Sequence, residues 1–264
     1  MLQVCQDLRD EADELDAFLA TLSDDDWGRP TPFKSWTPWD VVAHLHFFDH
    51  VSLLALNDEA AFAKTREDLT AKMLAGLSLA DEARRVLGHL DATALRTLWI
   101  RSCREMADAL GASDPKRRLP WFGPDMGVSM FTTARYMETW AHGQDVYDLM
   151  HRPRTHTDRI KHIAVIGMKT FGWTFVNRGE DVPGEPPYVR LDAPSGDVWE
   201  FGEPDDEERI CGSAVDFCHV VTQGRNVADT SLSVTGPIAT RWMSIAQCFA
   251  GAAVDPPAPG ERVG

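Results

Sequence analysis

The feature that most narrows the fold is a repeat: through the first 150 residues, apolar side chains return every three or four positions over stretches long enough to be helices. Val4, Leu8, Ala12, Leu15, Phe18, Leu19 and Leu22 form one such face between Leu2 and Leu22. A polar, proline-bearing stretch, DDDWGRPTPFKSW, interrupts it. Thr37 then offers a capping hydroxyl, Pro38 suits a first helical position, and Asp40 sits three residues after the cap, where negative charge is favoured. A second helix follows to about Leu56. Residues 58–88 read as helical but broken, with alternating charge and few apolar anchors. A third long helix fits Ala92 to Leu110, residues 114–126 read as a loop, and a fourth spans Val128 to Met150. Four long helices with a long connection between the second and third predict a bundle.

The texture changes after His151. RPRTH reads as a linker and residues 157–178 as a helix. YVRLDAPSGDVWEFG holds two short alternating runs around Pro-Ser-Gly, the pattern of a β-hairpin. ERICG, a helix near Ala214–Thr222, a strand at Ser231–Val234 and a helix from Pro237 to about Ala250 complete an α+β unit. The expected division is a helical bundle over 1–152, an α+β domain over 153–252 and a disordered tail over 253–264.

Composition sets limits on partners. With 44% hydrophobic and 25% charged residues in 264, the chain can bury a sizeable core. Its net charge of −15, from 41 acidic against 26 basic residues, disfavours nucleic acid and anionic lipid. A small anionic substrate is still admissible, because one buried arginine can hold a carboxylate. Cys5, Cys103, Cys211, Cys218 and Cys248 are scattered and never spaced as CxxC, so neither a disulfide framework nor a thiolate zinc site is expected. The acidic start is unlike a signal peptide, and no run reaches the ~18 apolar residues of a membrane span. A cytoplasmic protein is expected, and the composition leaves open whether it is a homodimer.

Glu138 and His142 are the first chemical clue. Four residues apart on a helix, they share one face and can reach one ion. Apolar Met137, Trp140, Val146 and Leu149 around them predict a largely buried helix, where a carboxylate needs a compensating charge. Gly143 follows at once, fitting either a close ligand or close helix packing. The second helix offers further imidazoles in WDVVAHLHFFDH. His44 and His46 point about 200° apart, whereas His46 and His50 share a face, with Asp49 beside them. Periodicity alone does not choose among these.

Two motifs resemble a known family. SWTPWDVVAHL, residues 35–45, and ETWAHGQDVYDL, from Glu138, are similar to motifs of the DinB-like metal-binding four-helix bundles, and within them of the mycothiol-dependent maleylpyruvate isomerase type. The likeness extends to LDAPSGDVWEF, ICGSAVDF and QGR in the second half. It implies a DinB-like bundle followed by a smaller, sterol-carrier-like α+β domain. It implies that His44, Glu138 and His142 hold a divalent metal, and that Arg225 takes part in catalysis.

Two histidines and one carboxylate leave positions open on an ion, the pattern of a catalytic site. Zinc is the default for such ligands, and Ni, Fe or Mn also fit. The resemblance implies mycothiol, or a similar thiol, as cosubstrate. In the isomerase reaction a thiolate adds to a cis alkene conjugated with a carbonyl, the bond rotates, and elimination gives the trans product; in a transferase the thiol stays. Asp145 could orient His142, and Arg135 could clamp a substrate carboxylate or pair with Glu138. Trp36, Trp39 and Trp140 read as core or pocket wall. The alternatives are a thiol-independent metal hydrolase or lyase on the same scaffold, and a non-catalytic carrier of lipid or another small molecule.

Overall fold

The computed structural model describes residues 2–262, which form two compact units divided between Met150 and His151. The first unit is helical. It comprises α1 (Gln3–Leu19), α2 (Pro38–Asn57), α3 (Glu59–Leu74), α4 (Leu79–Leu87), α5 (Ala92–Gly111) and α6 (Val128–Leu149). Helices α1, α5, α2 and α6 pack in a closed ring, α1 on α5, α5 on α2, α2 on α6 and α6 on α1. That is the four-helix bundle the apolar repeat predicts, and α3 and α4 form the broken helical connection, both resting on α2.

Each long helix starts for a local reason. The Thr37 hydroxyl accepts from the Asp40 amide while the Asp40 carboxylate accepts from the Thr37 amide, a reciprocal cap that fixes where α2 begins. Ser78 and Asp81 repeat the device at α4, and Asp91 caps α5. The interior is filled by Leu8, Leu15, Leu45, Trp99, Phe131, Tyr136 and Trp140, each almost wholly buried. Polar side chains are nevertheless frequent on α6, where Thr132, Arg135, Thr139, His142 and Asp145 are all buried. The expected loop over 114–126 contains a short antiparallel pair, β1 (Arg118–Leu119) with β2 (Met126–Gly127).

The second unit is α+β. Its elements are α7 (Lys161–Lys169), α8 (Phe171–Val176), β3 (Tyr188–Asp192), β4 (Val198–Phe201), β5 (Arg209–Ser213), α9 (Ala214–Val221), β6 (Ser233–Thr235) and α10 (Pro237–Ile245). The sheet runs β4-β3-β5-β6, with β3 antiparallel to β4, parallel to β5, and β5 antiparallel to β6. Phe171, Phe175, Phe217, Trp242, Val189, Leu191 and Ile210 build its core.

Three expectations need correction here. The helix expected over 157–178 is two helices, parted at Thr170, whose φ of −99° and ψ of 9° leave the α-helical range. The last helix stops at Ile245, where Ala246 adopts extended backbone. The tail expected to be disordered is held through residue 262: Gln223 donates to the Val254 carbonyl, Asn226 to the Pro257 carbonyl, and Asp229 accepts from the Gly260 amide. Low apolar content argued for disorder, but side-chain amides of a distant turn satisfy this backbone instead. No helix among the described residues is long and apolar enough to cross a membrane.

Candidate metal centre

The capped start of α2 decides which of its imidazoles faces the bundle. From that start, His44 is directed toward α6, while His46 lies on the α5 side with its Nδ1 2.9 Å from the Ser102 hydroxyl. His50 is exposed. The rival pair of His46 and His50 is therefore not assembled into a site.

On α6, Glu138 and His142 project one above the other toward His44. His44 Nε2 lies 3.3 Å from Glu138 Oε2, and His142 Nε2 lies 3.4 Å from the same oxygen. One ligand atom from each of the three residues falls within 4.8 Å of the other two. A tetrahedral ion with bonds of about 2.0–2.1 Å requires ligand atoms roughly 3.3–3.4 Å apart. The two edges from Glu138 have that length, and the third, between the imidazoles, lies within 4.8 Å. Among the described residues no other group of His, Cys, Asp and Glu meets the same condition.

The ionisation of the three groups follows from their burial and their contacts with one another. Burial dominates at His44 and lowers its pKa to about 4, leaving a neutral imidazole with a lone pair to offer. Burial would raise Glu138, but hydrogen bonds to His142 and His44 outweigh it and keep the carboxylate ionised. Burial would likewise lower His142; the carboxylates of Asp145 and Glu138 outweigh it and bring the ring to about 9. His142 Nδ1 lies 3.1 Å from Asp145 Oδ2, so Asp145 orients the ring and leaves Nε2 directed at the centre. Asp145 is itself buried, at 2% exposed.

Aromatic rings wall the imidazoles. Trp36 stacks on His142 at 5.5 Å and 20°, Phe33 meets its edge at 5.1 Å, and Phe48 lies 4.8 Å from His44. Phe33 and Trp36 are brought over His142 by a tight turn in which Lys34 and Ser35 have φ of 49° and 57°. The Trp36 amide closes that turn on the Phe33 carbonyl at 2.8 Å. Neither residue is glycine or asparagine, so the turn is strained. Phe48 follows His44 by one turn of α2, so helical spacing already brings it to the site; Phe33 is placed by the paired positive φ values, which the sequence does not show. Under α3 and α4 a cavity of about 10 Å³ touches His44, walled by Phe47, Phe48, Leu69, Leu79, Glu82 and Ala83. It has room for a single water.

The two arginines meet different ends. Arg135 is buried and donates from Nε and Nη2 to Asp49 Oδ1 at 3.2 and 2.9 Å. That fork lies on Asp49 rather than on Glu138, the ion partner that the sequence offered. Arg225 lies in the second unit, at the turn after α9, where its Nη1 donates to the Gly224 carbonyl at 2.8 Å. Trp39 sits away from the centre, its Nε1 donating to the Leu90 carbonyl.

Comparisons with known proteins agree with this architecture. Residues 8–147 match the family described as the mycothiol maleylpyruvate isomerase N-terminal domain. Two uncharacterized proteins of Mycobacterium tuberculosis, from strains CDC 1551 / Oshkosh and ATCC 25618 / H37Rv, are each 41% identical over 245 residues, 93% of this chain and 94% of theirs. The crystal structure of a mycothiol-dependent maleylpyruvate isomerase superposes with a TM-score of 0.53 at 16% identity, covering 85% of this chain and 89% of that one. A histidine-to-alanine variant of such an enzyme superposes equally, at 14% identity and a TM-score of 0.53, over 83% and 87%. At those identities the likeness speaks for the fold.

Proposed function

The chain belongs to the mycothiol maleylpyruvate isomerase N-terminal-domain family, and from that premise we propose that it is a divalent-metal-dependent enzyme. It activates a low-molecular-weight thiol, mycothiol or one like it, for isomerisation of, or transfer to, a small unsaturated acid. The observation that carries this reading is the meeting of His44, Glu138 and His142, one ligand atom of each within 4.8 Å of the others, with His142 oriented by Asp145. An ion held by two imidazoles and one carboxylate would supply Lewis acidity that lowers the pKa of a thiol or water, and zinc is the first expectation for that donor set.

The protein's own groups do the rest. His44 is kept neutral by burial and Glu138 is kept ionised, so both are in the state that binds a cation. Trp36, Phe33 and Phe48 keep bulk water from the imidazoles and present apolar faces to an unsaturated carbon chain. For Arg225 we keep only the part in catalysis that the resemblance of its QGR motif implies.

Elemental analysis of protein purified without chelator tests the centre. His44→Ala, Glu138→Ala and His142→Ala should each lose the metal; full metal content in all three would sink the assignment. Turnover of maleylpyruvate-like acids should require both metal and thiol, and Arg225→Gln should lower kcat while leaving metal content intact. Metal-dependent turnover without any thiol would point instead to a hydrolase or lyase.

A further inference from the structure

The bundle core contains one ion pair that packing does not require. Asp49 of α2 is fully buried and Arg135 of α6 nearly so, at 0% and 2% exposed. Both donated bonds reach Asp49 Oδ1, while Oδ2 has no hydrogen-bond partner. Burial pushes the Asp49 carboxyl up against the pull of Arg135, which registers the desolvation this pair carries. Apolar residues of similar volume would serve stability as well or better at such a place. The best-attested use of a buried pair is to fix how two helices are aligned.

Alignment of these two helices matters for a specific reason. The three proposed ligands are divided between them, His44 on α2 and Glu138 with His142 on α6. Arg135, Glu138 and His142 fall at intervals of three and four, so they share one stripe of α6. Arg135 also donates to the Leu45 carbonyl at 3.5 Å, next along the chain from His44. Its guanidinium faces the Phe48 ring at 6.0 Å, and that ring lies 4.8 Å from His44. A helix advances about 1.5 Å per residue, whereas metal–ligand distances tolerate roughly 0.2 Å. Apolar side chains slide against each other with little penalty; a two-pronged contact to one oxygen does not.

We infer that Asp49 and Arg135 are positioning residues for the metal centre: their pairing sets the axial alignment of α2 against α6 and holds His44 at coordinating distance from Glu138 and His142. This rests on the metal reading of the site, and the experiment separates the two.

The probes are cobalt(II), read by its visible absorption, and zinc by competition with a chromophoric chelator, on the full chain. Arg135→Lys keeps the charge but loses the fork. It should bind both metals at least tenfold more weakly and change the cobalt band, while circular dichroism stays that of the wild type. The double variant Asp49→Leu, Arg135→Met removes both charges with little change of volume. It should remain folded, yet bind metal as weakly as Arg135→Lys. Wild-type affinity and an unchanged cobalt band in either variant would overturn the inference, since a purely structural pair would alter melting without altering coordination. Imidazole ¹⁵N spectra of the metal-free proteins give an independent reading: His44 and His142 signals should move in Arg135→Lys, and static signals would overturn the inference. If the wild type takes up no metal, the functional reading falls, while the ¹⁵N spectra still decide the alignment.

Discussion

Lys34 and Ser35, consecutive and both left-handed, hold a turn that glycine would adopt without strain. For an L-residue that conformation costs on the order of 1–2 kcal/mol. Ser35 is exposed, so Ser35→Gly should stabilise the protein by about 1 kcal/mol in urea titration; lost stability would show the turn to be unstrained. Asp145 is the other single residue with a sharp expectation. Asp145→Asn keeps the shape but weakens the hold on His142 Nδ1, and metal affinity should drop about 10–100-fold in chelator competition. An unchanged affinity would mean that the bond at 3.1 Å does not orient the ring. The sequence shows Glu138 and His142 one turn apart and places Asp145 three residues on. It does not show that Arg135, three residues earlier on the same stripe, is taken up by Asp49, because that depends on which helix lies opposite.

At the scale of elements, the pair α3 and α4 is pinned by charge as much as by packing. Glu82 is nearly buried and accepts from Arg85 and from Lys72. Those bonds, the one from Arg85 foremost, pull its carboxyl from 4.5 down to about 2. A depressed acid contributes stability fully above its unfolded value, and that contribution fades as pH falls from about 4.5 toward 2. The wild type should therefore lose more stability than Glu82→Gln between pH 5 and 3, by urea titration at each pH. Arg85 is largely exposed, so added salt should narrow the difference. Equal slopes for the two proteins would remove Glu82 from the account. The helices themselves are legible where a cap and an apolar repeat coincide, as at Thr37 and Asp40 for α2. They are misread where the backbone departs from helical dihedrals with no glycine or proline to announce it, as at Thr170 between α7 and α8.

At the scale of the whole molecule, an ion that binds the folded chain and not the unfolded one must stabilise it. Free zinc at 100 times its dissociation constant should add about 2.7 kcal/mol, read as a shift in the unfolding transition. His142→Ala should show no such shift; a shift of equal size in that variant would place the binding elsewhere. Tertiary structure also decided the sheet order. The hairpin of β3 and β4 can be read from the turn residues between them, but the parallel pairing of β3 with β5 joins segments that no local signal connects.

The sequence by itself determined the helical bundle, the approximate helix limits and the ligand types, since periodicity, caps and turn chemistry act over a few residues. Periodicity left His44 and His46 open and the motif resemblance chose His44, which the tertiary structure brings to Glu138 and His142; only the tertiary structure decided that Arg135 answers Asp49 and that residues 254–262 are held. Those outcomes depend on the alignment of surfaces far apart in the chain. Apolar spacing says which face of a helix is buried, and not what that face is buried against.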